Sequence, residues 1–119
     1  MTRVTCHCGA VELRVTLAEP LSHARRCDCS FCRRRGVPAA TVMLPDLEVV
    51  KGADALSVYS FGTHTAKHHF CKICGVYTHH QRRSNPDEYG VNMAGIEGVH
   101  LPDHGDIPWH DGVNHPSDQ

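Results

Sequence analysis

The stretch HHFCKICGVYTHH, residues 68–80, contains two cysteines separated by two residues and flanked by strand-forming side chains. This spacing is typical of a tight turn between two strands, because Gly75 can take the left-handed conformation that a Cβ resists. Such a turn places both sulfurs on one side of the chain. Cys71 and Cys74 are therefore predicted to supply half of a four-ligand metal site, with the other half from elsewhere in the chain.

A second cysteine pair has the same local setting near the start of the chain. Cys6 and Cys8 lie in TCHCGAV, residues 5–11, and are followed by Gly9 and a predicted strand. Two distant half-sites that share one zinc ion would connect the first hairpin to a late one and contribute several kcal/mol to folding. The alternative is two unrelated pairs of buried cysteines. We predict the shared four-cysteine site.

The third cluster lies in RCDCSFCRRRG, residues 26–36, and supplies only three thiolates, from Cys27, Cys29 and Cys32. Three protein ligands and one open position are typical of a catalytic zinc site. The alternative is a closed site with a histidine as the fourth ligand. The candidates for that ligand are His64, His68, His69, His79 and His80.

The sulfur-rich ligand set limits the chemistry of this third site. Three thiolates leave a zinc centre with net negative charge, which is a weak generator of hydroxide and is better suited to holding a fourth, exogenous thiolate. Arg33, Arg34 and Arg35 follow at once and are predicted to bind substrate carboxylates or to offset the negative centre. A solvated basic turn is the alternative, and we expect one of the three to face the pocket. Arg82 and Arg83 form a second basic pair.

The composition excludes several classes of protein. The 119 residues predict one domain over residues 1–119, and seven cysteines in tight clusters argue against a disulfide framework. No leader-like or membrane-spanning segment is evident, so a cytoplasmic protein with reduced thiols is predicted. Residues 1–83 hold all 12 Lys and Arg, yet the formal net charge is −1, which argues against a nucleic-acid partner.

The hydrophobic pattern predicts a mainly β chain of short strands with few helical turns. Ser30 is expected to cap a turn that runs to Arg35 and ends at Gly36, GADAL (residues 52–56) is expected to form another turn, and the chain from Gly98 onward is expected to be irregular. The predicted strands lie in AVELRVTL (10–17), TVML (41–44), LEVV (47–50), LSVYSF (56–61), AKHHF (66–70), GVYTHH (75–80) and EYGVNMA (88–94).

The order of these motifs resembles a known family. CHCG, CDCSFCRRRG and TAKHHFCKICGVYTHHQRRSNP, with YGVNMAGIEGV and DGVNHP in the tail, are similar to the glutathione-dependent formaldehyde-activating enzymes, which share their domain with the centromere protein V group. The resemblance extends from about Thr5 to Pro116. It implies a β-tent of short antiparallel strands held by zinc.

The resemblance also implies two zinc ions per chain. One is structural, on Cys6, Cys8, Cys71 and Cys74, and the second is reactive, on Cys27, Cys29 and Cys32. The implied activity is that of a carbon–sulfur lyase, joining glutathione and formaldehyde into S-hydroxymethylglutathione, with arginines 33–35 meeting the carboxylates of glutathione. His79 and His80 are candidates for proton transfer. The alternatives are a zinc-built binding module for nucleic acid or chromatin and a zinc-stabilised interaction domain without catalysis.

Overall fold

The structure is a computed structural model that describes residues 1–116, and the predicted mainly β class is confirmed. Short strands are joined by turns and 3-10 segments, and the helix among these residues, α1, is one turn long, at Cys32–Arg35. The strands are β1 Thr2–Thr5, β2 Glu12–Val15, β3 Arg26–Cys27, β4 Ala39–Met43, β5 Leu47–Lys51, β6 Leu56–Tyr59, β7 Lys67–Cys71, β8 Tyr77–Gln81, β9 Glu88–Asn92 and β10 Trp109–His110.

Most strands belong to two antiparallel sheets. The larger has the order β4-β9-β8-β7-β6, and the smaller has the order β1-β2-β5. The predicted strands in LSVYSF and AKHHF are confirmed as β6 and β7, which pair antiparallel on either side of residues 62–64. β4 and β5 are adjacent in sequence, yet the 3-10 turn Leu44–Asp46 between them carries the chain from one sheet to the other.

A single core connects the two sheets. Val11, Leu13 and Val15, which alternate along the first predicted strand, AVELRVTL, are fully buried, as is Val42 of β4. An isolated bridge between Val4 and Ile96 connects β1 to the segment after β9. The aliphatic side chains of the small sheet therefore pack against those of the large one.

The register of β7 and β8 sorts four histidines between two faces. His68 lies opposite His80, and His69 lies opposite His79. Because successive side chains of a strand point to opposite faces, the first pair and the second pair lie on different sides of the large sheet.

One detail of the predicted helical turn is wrong. Ser30 does not cap the helix: Phe31, at φ −83° and ψ −54°, is already helical, and the Arg33 N–H donates to the Cys29 carbonyl at 3.0 Å, so the turn begins earlier. Gly36 ends the turn as predicted, with φ +70°.

The segment after Gly98 is more regular than predicted. It contains a 3-10 turn at Leu101–His104, and β10 pairs in parallel with β3, so that not every strand pair is antiparallel. The pairing is too short to leave a periodic pattern in the sequence. No helix within residues 1–116 is long and apolar enough to cross a membrane.

Candidate active site

The two distant cysteine pairs converge at one end of the fold. Cys6 and Cys8 lie in the β1–β2 connection, Cys71 ends β7, and Cys74 lies in the turn before β8. Their four sulfurs all lie within 4.8 Å of one another. Gly75, with φ +80°, closes the turn by donating its N–H to the Cys71 carbonyl at 2.7 Å.

The geometry of this four-cysteine cluster fits a tetrahedral metal ion. Cys8 Sγ lies 3.7 Å from Cys6 Sγ and 3.7 Å from Cys71 Sγ. Zinc–sulfur bonds of ~2.3 Å at tetrahedral angles place sulfurs ~3.8 Å apart, whereas a disulfide needs about 2.05 Å. All seven cysteines are free thiols. The N–H groups of Cys8 and Val76 lower the pKa of Cys74 to about 6, which favours a thiolate.

The three-cysteine cluster is built around α1. Cys27 ends β3, Cys29 follows in the connecting turn, and Cys32 is the first residue of the helix. Their sulfurs also lie within 4.8 Å of one another, and no histidine or carboxylate among residues 1–116 joins the group. The Cys32 N–H donates to Cys29 Sγ at 3.3 Å. The cluster therefore offers three sulfur ligands on one side.

The protonation of these three sulfurs shows why a cation fits there. Hydrogen bonds from the Cys27 and Cys32 thiols lower the pKa of Cys29. The hydrogen bond with Cys29 raises the pKa of Cys27, and hydrogen bonds with Cys27 and Cys29 raise the pKa of Cys32. One thiolate forms readily, but ionising all three sulfurs this close together requires a positive charge between them. A bound metal ion supplies that charge.

The three consecutive arginines do not share one environment. Arg35 is half-buried: one guanidinium nitrogen donates to Cys32 Sγ at 3.6 Å, and another lies 3.2 Å from His68 Nδ1. Its guanidinium carbon also lies 3.6 Å from the centre of the Tyr77 ring. Arg33 and Arg34 are exposed, and Arg34 Nη1 donates to the Ser30 carbonyl. The positive charge nearest the sulfurs therefore comes from Arg35.

The three-cysteine cluster opens into a cavity of about 110 Å³. Arg25, Arg35, Arg82 and Arg83 contribute to its wall, together with His68, His80, Phe61 and the tail residues His110, Gly112 and His115. Arg82 is buried and pairs with Glu88 Oε1 at 2.9 Å, so its charge is largely neutralised within the protein. Arg25 is a cavity residue that no sequence motif indicates, and its position follows from the pairing of β3 and from the bridge between Arg25 and Ala39.

The tail crosses directly over this cluster. The Asp28 N–H donates to the His110 carbonyl at 3.1 Å, and Asp28 Oδ1 accepts from the Gly112 N–H at 2.6 Å. The Arg26 guanidinium donates to the Ile107 carbonyl at 2.9 Å and lies over the Trp109 ring. The motif DGVNHP includes Gly112, but its contact with Asp28 depends on the folded path of the tail and cannot be derived from the motif.

The five histidines considered as fourth ligands are distributed differently. His68 and His80 line the cavity next to the cysteines. His69 and His79 stack on each other at 4.3 Å on the opposite face of the sheet. His64 is exposed, with Nδ1 2.7 Å from Ser60 Oγ. None of them joins the cysteine sulfurs among the described residues, so the cluster supplies three ligands.

An aromatic groove of about 520 Å³ lies on the other side of Arg35. Phe31, Tyr59, Phe70 and Tyr77 line it, and the Phe31 and Tyr59 rings lie 5.3 Å apart. Arg35 and His68 line both spaces and form the wall between them.

A family model described as "Glutathione-dependent formaldehyde-activating enzyme" matches residues 1–104 of this chain. The chain belongs to the glutathione-dependent formaldehyde-activating enzyme family. The resemblance inferred from the cysteine motifs is thereby confirmed.

Two proteins illustrate how similar this chain is to others. A Halomonas elongata protein that carries the family's name is 37% identical over 78 residues, which are 59% of this chain and 49% of that protein. The chain thus spans about half the length of this curated relative. The crystal structure of a Rhodobacter sphaeroides protein is 64% identical, covers 91% of this chain and 99% of its own, and superposes with a TM-score of 0.89.

Proposed function

We propose that this chain is a zinc-dependent carbon–sulfur lyase that adds a thiol such as glutathione to an aldehyde such as formaldehyde, as an S-(hydroxymethyl)glutathione synthase does. The observation that carries the proposal is the three-cysteine cluster, whose sulfurs lie within 4.8 Å of one another with no fourth ligand among residues 1–116. It opens into a cavity lined by arginines. Family membership supports the same reaction class.

The two clusters have different roles in this proposal, with one zinc ion for each. Cys6, Cys8, Cys71 and Cys74 supply four sulfurs and fix the β1–β2 connection to the β7–β8 turn, which is a structural role. Cys27, Cys29 and Cys32 supply three sulfurs at a cavity. Zinc bound there would favour the thiolate form of an incoming thiol, which would complete the four-sulfur set.

The arginines around the cavity give the site its preference for an anionic substrate. Arg35 contacts Cys32 and offsets the negative charge of the sulfurs. Arg25 lines the cavity, and we assign to it a charged hydrogen bond with a substrate carboxylate. Arg33 and Arg34 are exposed on the same helical turn and add positive potential at longer range. Glutathione, with two carboxylates and one thiol, fits this arrangement.

We extend the proposal to the compartment and to the domain organisation of the chain. Seven free thiols and clusters that need thiolate ligands are best served by a reducing, cytoplasmic compartment. One core connects both sheets, which supports a single domain.

The reaction is tested with zinc-loaded, reduced protein, glutathione and ¹³C-labelled formaldehyde. Exchange NMR measures the rate at which label moves between free formaldehyde and the hemithioacetal adduct. We expect the protein to accelerate this exchange above the spontaneous rate, and Cys32→Ser to abolish the acceleration. Wild-type protein that contains both zinc ions yet leaves the exchange at its spontaneous rate would contradict the proposal and favour a zinc-stabilised interaction domain.

A further inference from the structure

His68 and His80 form a stacked pair in the wall of the cavity that holds the three cysteines. They lie opposite each other on β7 and β8, and their ring centres are 5.0 Å apart. Each ring has one nitrogen, Nδ1, within hydrogen-bond distance of a protein group, the Arg35 guanidinium for His68 and the Tyr77 hydroxyl for His80. The tautomer of each neutral ring follows from those partners.

The Tyr77 hydroxyl determines the tautomer of His80. It lies 3.0 Å from the Gly90 carbonyl oxygen and 2.6 Å from His80 Nδ1. The carbonyl can only accept, so the single hydroxyl proton is donated to Gly90, and His80 Nδ1 must carry a proton that it donates to the tyrosine oxygen. Neutral His80 therefore has an unprotonated Nε2.

The Arg35 guanidinium determines the opposite tautomer for His68. One of its terminal nitrogens lies 3.2 Å from His68 Nδ1, and a guanidinium can only donate. His68 Nδ1 must therefore be the acceptor, which places the proton of the neutral ring on Nε2. The two stacked rings thus offer one proton acceptor and one donor through their Nε2 atoms.

Both rings stay neutral in the absence of ligand. Burial lowers the pKa of His68 to about 4, and the nearby positive charge of Arg35 acts in the same direction. Burial lowers the pKa of His80 well below its ordinary value, with further contributions from Arg35, His68, Arg82 and His79. In the absence of ligand, His80 Nε2 is therefore unprotonated and available to accept a proton.

We propose, resting on the function proposed above, that His80 Nε2 carries the reaction's proton while His68 Nε2–H donates a hydrogen bond to the aldehyde oxygen. The assignment uses the fixed tautomers and the position of both rings in the wall of the three-cysteine cavity. Tyr77 and Arg35 act as positioning residues, because each selects a tautomer.

The step is balanced without any further reactant. The thiol S–H bond breaks and its proton moves to His80 Nε2. The sulfur forms a bond to the aldehyde carbon, and the carbonyl electron pair moves to the oxygen, which His68 Nε2–H stabilises. His80 then returns the proton to that oxygen, which gives the neutral hemithioacetal and the starting tautomer. The reverse reaction uses the same groups in the opposite order.

The tautomers are tested without any turnover measurement. In ¹⁵N-labelled protein, long-range ¹H–¹⁵N correlation spectra distinguish protonated from bare ring nitrogens. We expect a proton on Nδ1 of His80 and on Nε2 of His68, and Tyr77→Phe should convert His80 into a mixture of tautomers. A proton on Nε2 of His80 or on Nδ1 of His68 in the wild-type protein overturns the proposal.

The roles are tested by variants assayed for exchange rate, zinc content and glutathione affinity together. His80→Gln cannot carry a proton and should lower the rate about 100-fold with zinc and affinity unchanged. His68→Gln keeps an amide donor and should retain more activity than His68→Leu. His79→Gln, on the opposite face, is the matched control and should behave as wild type. An undiminished rate in His80→Gln overturns the proton route, whereas a wild-type protein without any acceleration overturns the proposed function itself.

Discussion

The backbone of Gly112 lies directly against the sulfur of Cys27. A Cβ built at position 112 would overlap Cys27 Sγ and would also approach Cys29 Cβ at 3.0 Å. Glycine is therefore required at this position for a steric reason, because the tail passes over the three-cysteine cluster. The same tail is fixed to the cluster by Asp28, which lies between two of the cysteines.

Gly112→Ala is expected to disturb the three-cysteine cluster and leave the four-cysteine cluster intact. The added methyl group must displace either the tail or the sulfur of Cys27. Elemental analysis after mild chelation should therefore show about one zinc ion fewer per chain than in wild type. Val113→Ala, at the exposed neighbouring position, is the control and should retain wild-type zinc. Equal zinc retention in Gly112→Ala would show that the tail does not constrain the cluster.

Cysteine substitutions should separate the two clusters by their effect on folding. Cys71→Ser removes a buried ligand from the site that joins distant connections, and it should unfold the domain or leave it insoluble. Cys32→Ser should remove one zinc ion and leave the fold largely intact. Circular dichroism and thermal unfolding measure the difference. An equal loss of thermal stability in both variants would contradict the division into a structural and a reactive site.

Arginine substitutions should distinguish residues that line the cavity from those outside it. Arg25→Ala should weaken the binding of glutathione by roughly 1.5–3 kcal/mol, the value of one charged hydrogen bond. The binding of a small uncharged thiol should change much less. Arg33→Ala, an exposed arginine outside the cavity wall, is the matched control and should change glutathione affinity only slightly. Isothermal titration calorimetry measures both. Greater weakening by Arg33→Ala than by Arg25→Ala would reverse the assignment.

Burial of His79 should make the stability of the protein depend on pH. Burial lowers the pKa of His79 from 6.5 to about 3, so the unfolded chain binds the extra proton between these values. The contribution of neutral His79 to the free energy of unfolding is therefore fully present above pH 6.5 and is lost as the pH falls toward 3. The slope reaches about 1.4 kcal/mol per pH unit once the unfolded histidine is fully protonated.

Urea unfolding of wild type and His79→Gln at several pH values isolates this contribution, because any loss of metal at lower pH is common to both proteins. The stability of the wild type should fall more steeply than that of the variant below pH 6.5. Parallel curves for the two proteins would show that His79 is not buried in its neutral form.

Local patterns predicted the strands and the clustering of the cysteines well. The glycine after Cys74 and the alternation of Val11, Leu13 and Val15 report directly on backbone conformation and burial, and both agree with the structure. Cysteines at short spacing must project near one another, so each half-site could be identified from the chain alone.

Long-range contacts could not be predicted in the same way. The tail reaches the three-cysteine cluster through a two-residue parallel pairing with β3, which leaves no hydrophobic period. Arg25 lines the cavity because a backbone bridge places it next to Ala39 of β4. The residues next to Arg25 in the sequence do not indicate this position. The fixed tautomers of His68 and His80 depend on Arg35 and Tyr77, whose positions follow from the sheet register and from the helical turn.

X-ray absorption at the zinc edge, with glutathione and with S-methylglutathione, tests most directly whether the three-cysteine site completes its shell with a substrate sulfur. The spectrum averages the zinc coordination shells of the two sites. Without glutathione it should include a light-atom ligand from the three-cysteine site, and with glutathione it should show four sulfurs per zinc. S-methylglutathione, which has the same charges but no ionisable thiol, should leave the shell unchanged and bind far more weakly. A histidine nitrogen that glutathione does not displace, or equal binding of S-methylglutathione, would contradict the account.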